Sequence, residues 1–134
     1  MLRLSLLVAI FATPILTGCG ASGPTYHTVA GRVTLDGQPI AAGRILLRDP
    51  TRQVGSVEAA IVDGRFEVKA LPGPKRVEIS AQKEVPLPGG KTNIEGDSTR
   101  FVEAVPTRYN KSSTLELIVA EDLENQDFEL KSQP

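Results

Sequence analysis

One thiol, Cys19, and one imidazole, His27, are all that the chain offers in the way of a soft nucleophile and a neutral-pH base. A hydrolytic pair needs the nucleophile within reach of an oriented base. His27 instead opens the first alternating segment, where no pocket is expected, and reads as an exposed polar residue. A single cysteine excludes an intrachain disulfide and every multi-cysteine metal site, and a single histidine excludes a two-histidine site. Gly89-Gly90-Lys91-Thr92 has the tail of a phosphate loop, but the pattern's first glycine falls on Val85 and no helix pattern follows. Glu121, Asp122 and Glu124 lie between two strands and lack the spacing of a calcium loop, so they read as a solvated turn. With no Trp and only Tyr26 and Tyr109, little is available for stacking on sugars. Tyr109 reads as a corner residue whose hydroxyl ties down a loop. No cofactor or metal site is expected. The formal charge is −1 and the Lys and Arg residues are scattered, which excludes a nucleic-acid surface.

The chemistry that remains is at Cys19. Met1-Leu2-Arg3 is a short positive segment, and Leu4–Leu16 is almost wholly apolar. As a helix those thirteen residues would reach ~20 Å, short of a ~30 Å hydrocarbon core, so they read as a signal segment. Leu16-Thr17-Gly18-Cys19 resembles the lipobox of bacterial lipoproteins: a branched apolar residue, two small ones, then the cysteine. The resemblance implies a diacylglyceryl group on the Cys19 thiol, cleavage before it, and acylation of the new amino group. Several chains on one residue would anchor firmly, at ~0.8 kcal/mol per buried methylene. It also implies a place in the bacterial cell envelope, with Gly20 favouring the outer membrane. Gly20–Thr25 is small and polar, as a tether should be. The expected organisation is a signal peptide at 1–18, a lipidated tether at 19–26, one domain at 27–131 and a tail at 132–134.

From His27 onward the hydrophobic period is two. Val29, Gly31, Val33 and Leu35 share one face of a first strand, which ends at Asp36-Gly37-Gln38-Pro39. Ile45–Leu47, Val57–Val62, Arg65–Ala70 and Arg76–Ala81 follow, with Asp63-Gly64 as the sharpest hairpin signal. Short pieces around Phe101–Ala104, Leu115–Val119 and Phe128–Leu130 complete the set. Seven or eight short strands with regular turn signals predict an all-β, antiparallel Greek-key β-sandwich. A five-stranded barrel and a lipocalin-like barrel are the rivals. No βαβ alternation is present, which excludes a parallel sheet. The expected core is Val33, Leu35, Ile45, Leu47, Ile61, Phe66, Val68, Val77, Ile79, Leu117, Val119, Phe128 and Leu130.

Val29–Ile40, with its G-x-V strand and D-G-x-P turn, resembles the opening of carboxypeptidase regulatory-like domains. Val62-Asp63-Gly64-Arg65-Phe66 is similar to the family's D-G-x-F hairpin, and Leu71–Val77 to its proline-glycine turn and core strand. Arg76 stands where an aromatic is common. Pro106–Asn110, Ser113–Leu115 and Asp127–Leu130 are similar to the C-terminal part of a lipoprotein subgroup. The resemblance implies a transthyretin-like sandwich and an accessory, noncatalytic module with a structural or protein-binding role. A peptide- or glycan-binding module is the alternative.

One stretch has no periodicity. Glu84–Arg100 is longer than ordinary loops and contains Pro86, Pro88, Gly89, Gly90 and Gly96. Such loops are either binding surfaces or mobile excursions. Val85, Leu87 and Ile94 are more apolar than a solvated linker requires. An envelope protein partner is therefore expected to touch Lys91, Asn93, Glu95, Asp97 and Arg100, with Arg108 and Tyr109 at the same end of the sandwich.

Overall fold

A computed structural model of the chain describes residues 23–133. The signal segment and Cys19, with its expected lipidation, lie outside the described residues. The strands are β1 (His27–Leu35), β2 (Gln38–Pro39), β3 (Ala42–Arg48), β4 (Val57–Val62), β5 (Arg65–Ala70), β6 (Gly73–Ser80), β7 (Gln82–Pro86), β8 (Thr99–Glu103), β9 (Glu116–Val119) and β10 (Phe128–Leu130). No α-helix occurs among the described residues. The fold is all-β, and the ten strands exceed the expected seven or eight because β2 and β7 join the set, with the short piece around Phe101–Ala104 appearing as β8.

Alternation decides the body. In β5, Phe66, Val68 and Ala70 are buried while Arg65, Glu67 and Lys69 are exposed. Eight strands form one sheet in the order β10-β1-β5-β4-β3-β6-β9, with β2 on β1, which curls into a half-barrel around a single core. The β3-β4-β5 meander with β1 returning beside β5 is a Greek key. Asp36-Gly37 and Asp63-Gly64 turn with positive φ at both residues, the type I′ geometry that matches strand twist.

Every expected core residue is buried except Leu35, which ends β1 beside the Asp36-Gly37 turn and is half-buried. Val29, Ile40, Ala70, Ala81 and Val105 complete the core. The Phe66 and Phe128 rings meet with centroids 6.0 Å apart. Lys75 is an unexpected member at 2% exposure. The strand was expected to begin at Arg76, but β6 begins at Gly73, which turns Lys75 inward. Its stem packs with the core and its Nζ reaches the Pro72 carbonyl at 3.5 Å. Asp49, just past β3, is also buried. Its carboxylate accepts the N–H groups of Thr51, Gln53 and Val54 at 2.8–2.9 Å, and these bonds, Val54's foremost, hold its carboxyl down at about 2.

One pairing corrects the expectation of a wholly antiparallel body. β10 runs parallel to β1, with Val33 opposite Phe128 and Leu35 opposite Leu130. Strand β9 delivers the chain to the His27 end, and residues 122–130 climb back beside β1. A lone parallel contact of this kind needs no βαβ unit. Asp122 Oδ1 accepts the Thr28 N–H at 2.8 Å, Gln126 N donates to the Ala30 carbonyl at 3.0 Å, and Asp127 Oδ1 accepts the Arg32 N–H at 2.9 Å. These acidic residues thus cover a strand edge rather than merely solvating a turn. Asp122 also lies 3.5 Å from His27 Nδ1, leaving that side chain 22% exposed rather than open to solvent. Gly31 is required here: a Cβ would sit 2.1 Å from the Gln126 carbonyl oxygen.

Candidate functional site

The stretch expected to be irregular is a projecting β-arm. Strands β7 and β8 pair antiparallel, from Gln82 opposite Glu103 to Pro86 opposite Thr99, and form a two-stranded sheet separate from the body. Glu84–Pro86 and Thr99–Arg100 are therefore strand, not loop. Pro86 fits because β7 has a neighbour on one side only, where a missing N–H is tolerated. No residue of β7 or β8 is buried. Val85 and Val102 lie on one face, half-covered. Phe101 lies on the other face, paired with Glu84, and is 68% exposed.

The tip is ordered by its own hydrogen bonds. Leu87 N donates to the Ser98 carbonyl at 2.8 Å, and Pro88–Gly90 forms a 3-10 turn. Asn93 Oδ1 accepts the N–H groups of Glu95 at 3.0 Å and Asp97 at 2.8 Å, while its Nδ2 donates to Asp97 Oδ2 at 3.0 Å. Ile94 at the apex is fully exposed. Of the expected contact residues, Lys91 and Glu95 project from this tip and Arg100 stands on β8 opposite Val85. Asn93 and Asp97 are engaged in holding the loop.

The root is clamped. Glu103 Oε1 accepts from Ala81 N at 2.9 Å and Val105 N at 3.0 Å, and Oε2 accepts from Asn110 Nδ2 at 3.2 Å. The neighbouring Arg108 lies 4.8 Å from the centroid of the Tyr109 ring, and its Nη2 donates to the carbonyls of Lys131 and Gln133. The Tyr109 hydroxyl accepts the Lys131 N–H at 3.4 Å. Its pKa is lowered by the hydrogen bond with Arg108 and then by that of Lys131. Tyr109 is the loop-tying residue expected of it, and through Asn110 it stands near the arm's root.

Strand directions fix where the arm leaves. β1 runs from His27 to Leu35, and the alternating directions of β5, β4 and β3 make β6 end beside the Leu35 end. The arm follows β6 directly, so it springs from the end of the body opposite His27. Arg108 and Tyr109, bound to Lys131 just past β10, share that end.

Phe101 and Glu103 are the arm residues that sequence reasoning did not single out as contacts. The available signal was Phe101 itself, one of six aromatic residues in the chain. Among the described residues no His, Asp and Glu side chains gather into a metal-ligating group. No family model, curated protein or solved structure matches the chain.

Proposed function

We propose that the chain is a noncatalytic, lipid-anchored module of the bacterial cell envelope that binds a protein partner through its β-arm. One observation carries this reading: the arm leaves the body at the end opposite His27. A lipid on Cys19, joined through the short tether, would then present Ile94 and Phe101 away from the membrane. Exposed apolar residues on a rigidly rooted element are the usual substance of a protein contact. The open edges of β7 and β8 add unpaired backbone groups that a partner strand can take up. A transthyretin-like architecture, which the carboxypeptidase regulatory-like resemblance of Val29–Lys131 implies, would agree with an accessory role, and the outer membrane is the favoured site.

Two variants test the two halves. Cys19→Ser, expressed in a lipoprotein-processing host, is expected to leave the detergent phase that wild type enters. Equal partitioning of the two would refute the anchor. Ile94→Ser/Phe101→Ser is expected to lose capture of a specific envelope protein that wild type retains from envelope extract. Undiminished capture by that variant would remove the arm from the contact.

A further inference from the structure

The body carries two places where arginines stand directly opposite each other on neighbouring strands, Arg48 against Arg76 and Arg32 against Arg65. Like charges in that register repel. The first pair is relieved internally, because Glu78 takes Arg48 in a fork at 2.7 and 3.1 Å. The second is not: among the described residues no carboxylate lies within 4.0 Å of either guanidinium. Asp127, on the same side of β1 as the segment that climbs beside it, spends Oδ1 on the Arg32 backbone N–H.

These two arginines line a groove of about 630 Å³ over the outer side of β1, β5 and β4, walled by the chain that climbs beside β1. Its floor is small, with Ala30 and Ala60 at the positions where longer side chains would fill it. Glu67 and Glu124 stand on the same lining. Glu67 is two residues along β5 from Arg65 and shares its face, which separates their Cα atoms by roughly 6–7 Å at 3.2–3.4 Å per residue. The groove is therefore of mixed charge: Arg32 and Arg65 stand opposite each other at one end, with Asp127 beside the Arg32 backbone, and Glu67 and Glu124 stand further along.

We propose that this groove binds a short zwitterionic peptide. The peptide's free carboxylate is held between Arg32 and Arg65, its cationic end lies toward Glu67 and Glu124, and small side chains rest on Ala30 and Ala60. The two ends of a dipeptide are about two residues of extended chain apart, as Arg65 and Glu67 are along β5. Guanidinium pairs suit a planar carboxylate because they can engage it in parallel hydrogen bonds. This site is independent of the arm and of lipidation, so its failure leaves the proposed function standing, and the reverse also holds.

Calorimetric titration of the full chain, solubilised in detergent, with L-alanyl-L-alanine tests the assignment. Saturable binding is expected, with loss of at least tenfold in affinity for the C-terminal amide of the same dipeptide and for Arg32→Ala/Arg65→Ala. Arg48→Ala should bind as wild type does. The arginines are exposed, so circular dichroism should show both variants folded. No saturable binding by wild type, equal binding by the double variant, or equal loss in Arg48→Ala would each overturn the site. Sulfate binding as tightly as the dipeptide would overturn the peptide assignment and leave a bare anion site.

Discussion

The body and the arm are held together by different forces. The body buries seventeen apolar residues in one cluster, and its outer face is mostly the polar half of a period-two code, with Val62 and Ile118 the large apolar side chains exposed on it. The arm buries nothing, shows apolar side chains on both faces, and is kept in shape by ladder bonds, the Asn93 turn and the Glu103 clamp. Stability thus resides in the body, and the arm is an appendage whose local opening does not require global unfolding. A β-ribbon of two strands is marginal alone in water. Anchoring at the root makes this one usable as a presented surface.

That contrast is broken or sharpened by substitutions on either side of it. Phe66→Ala removes a nearly buried ring from the Phe128 contact and should cost ~3–5 kcal/mol in denaturant unfolding. A loss below 1 kcal/mol would mean that the core is not where the body draws its stability. Gly31→Ala places a Cβ in the path of the Gln126 backbone and should cost at least ~1–3 kcal/mol by the same measurement, with 122–127 displaced from β1. Glu103→Ala leaves the N–H groups of two buried residues, Ala81 and Val105, without their acceptor, at ~1–3 kcal/mol. Hydrogen exchange should quicken throughout β7 and β8 in that variant, whereas exchange confined to wild-type rates would deny the clamp.

Acid probes the body again. The Asp49 carboxyl is depressed from 3.8 to about 2, so its contribution is complete above pH ~4 and is lost as pH falls toward 2. Wild type should lose stability over that window, and Asp49→Asn should show a flatter acid limb. The smallest effect belongs to the arm. Replacing Lys91–Gly96 with a Gly/Ser linker should change stability by no more than ~0.5 kcal/mol, because no buried group is disturbed. A larger loss would show that the tip supports the body.

Strands that bury one face were legible in the residues, and for β4 and β5 even the boundaries agree with the alternation of Val57–Val62 and Arg65–Ala70. Of the arm only the piece around Phe101–Ala104, in β8, was legible, for the complementary reason: with neither face on a core, nothing imposes period two, and Pro86, Pro88 and the glycines read as breakers. Lys75 was hidden by its type, since a lysine beside Pro74 signals solvent, yet its place in the row Gly73, Lys75, Val77, Ile79 turns it inward. The apolar content of 84–100 did mark the contact candidate, with Ile94 at its apex. Asn93 and Asp97 also close their own loop, a role that residue type does not separate from that of a side chain facing a partner. The parallel placement of β10 depends on the path of 120–127, and no local pattern encodes that path.

The geometry of β1 has a mechanical consequence. The chain enters β1 at one end of the body and the arm leaves at the other, so tension between tether and arm runs along the strand axis. β1 is flanked by β5 on one side and by β10 with the 122–127 segment on the other. Such a pull loads both ladders in shear, and their hydrogen bonds must yield together rather than unzip in turn. The body therefore resists a pull along β1 more than one across it, because only the first must break both ladders at once.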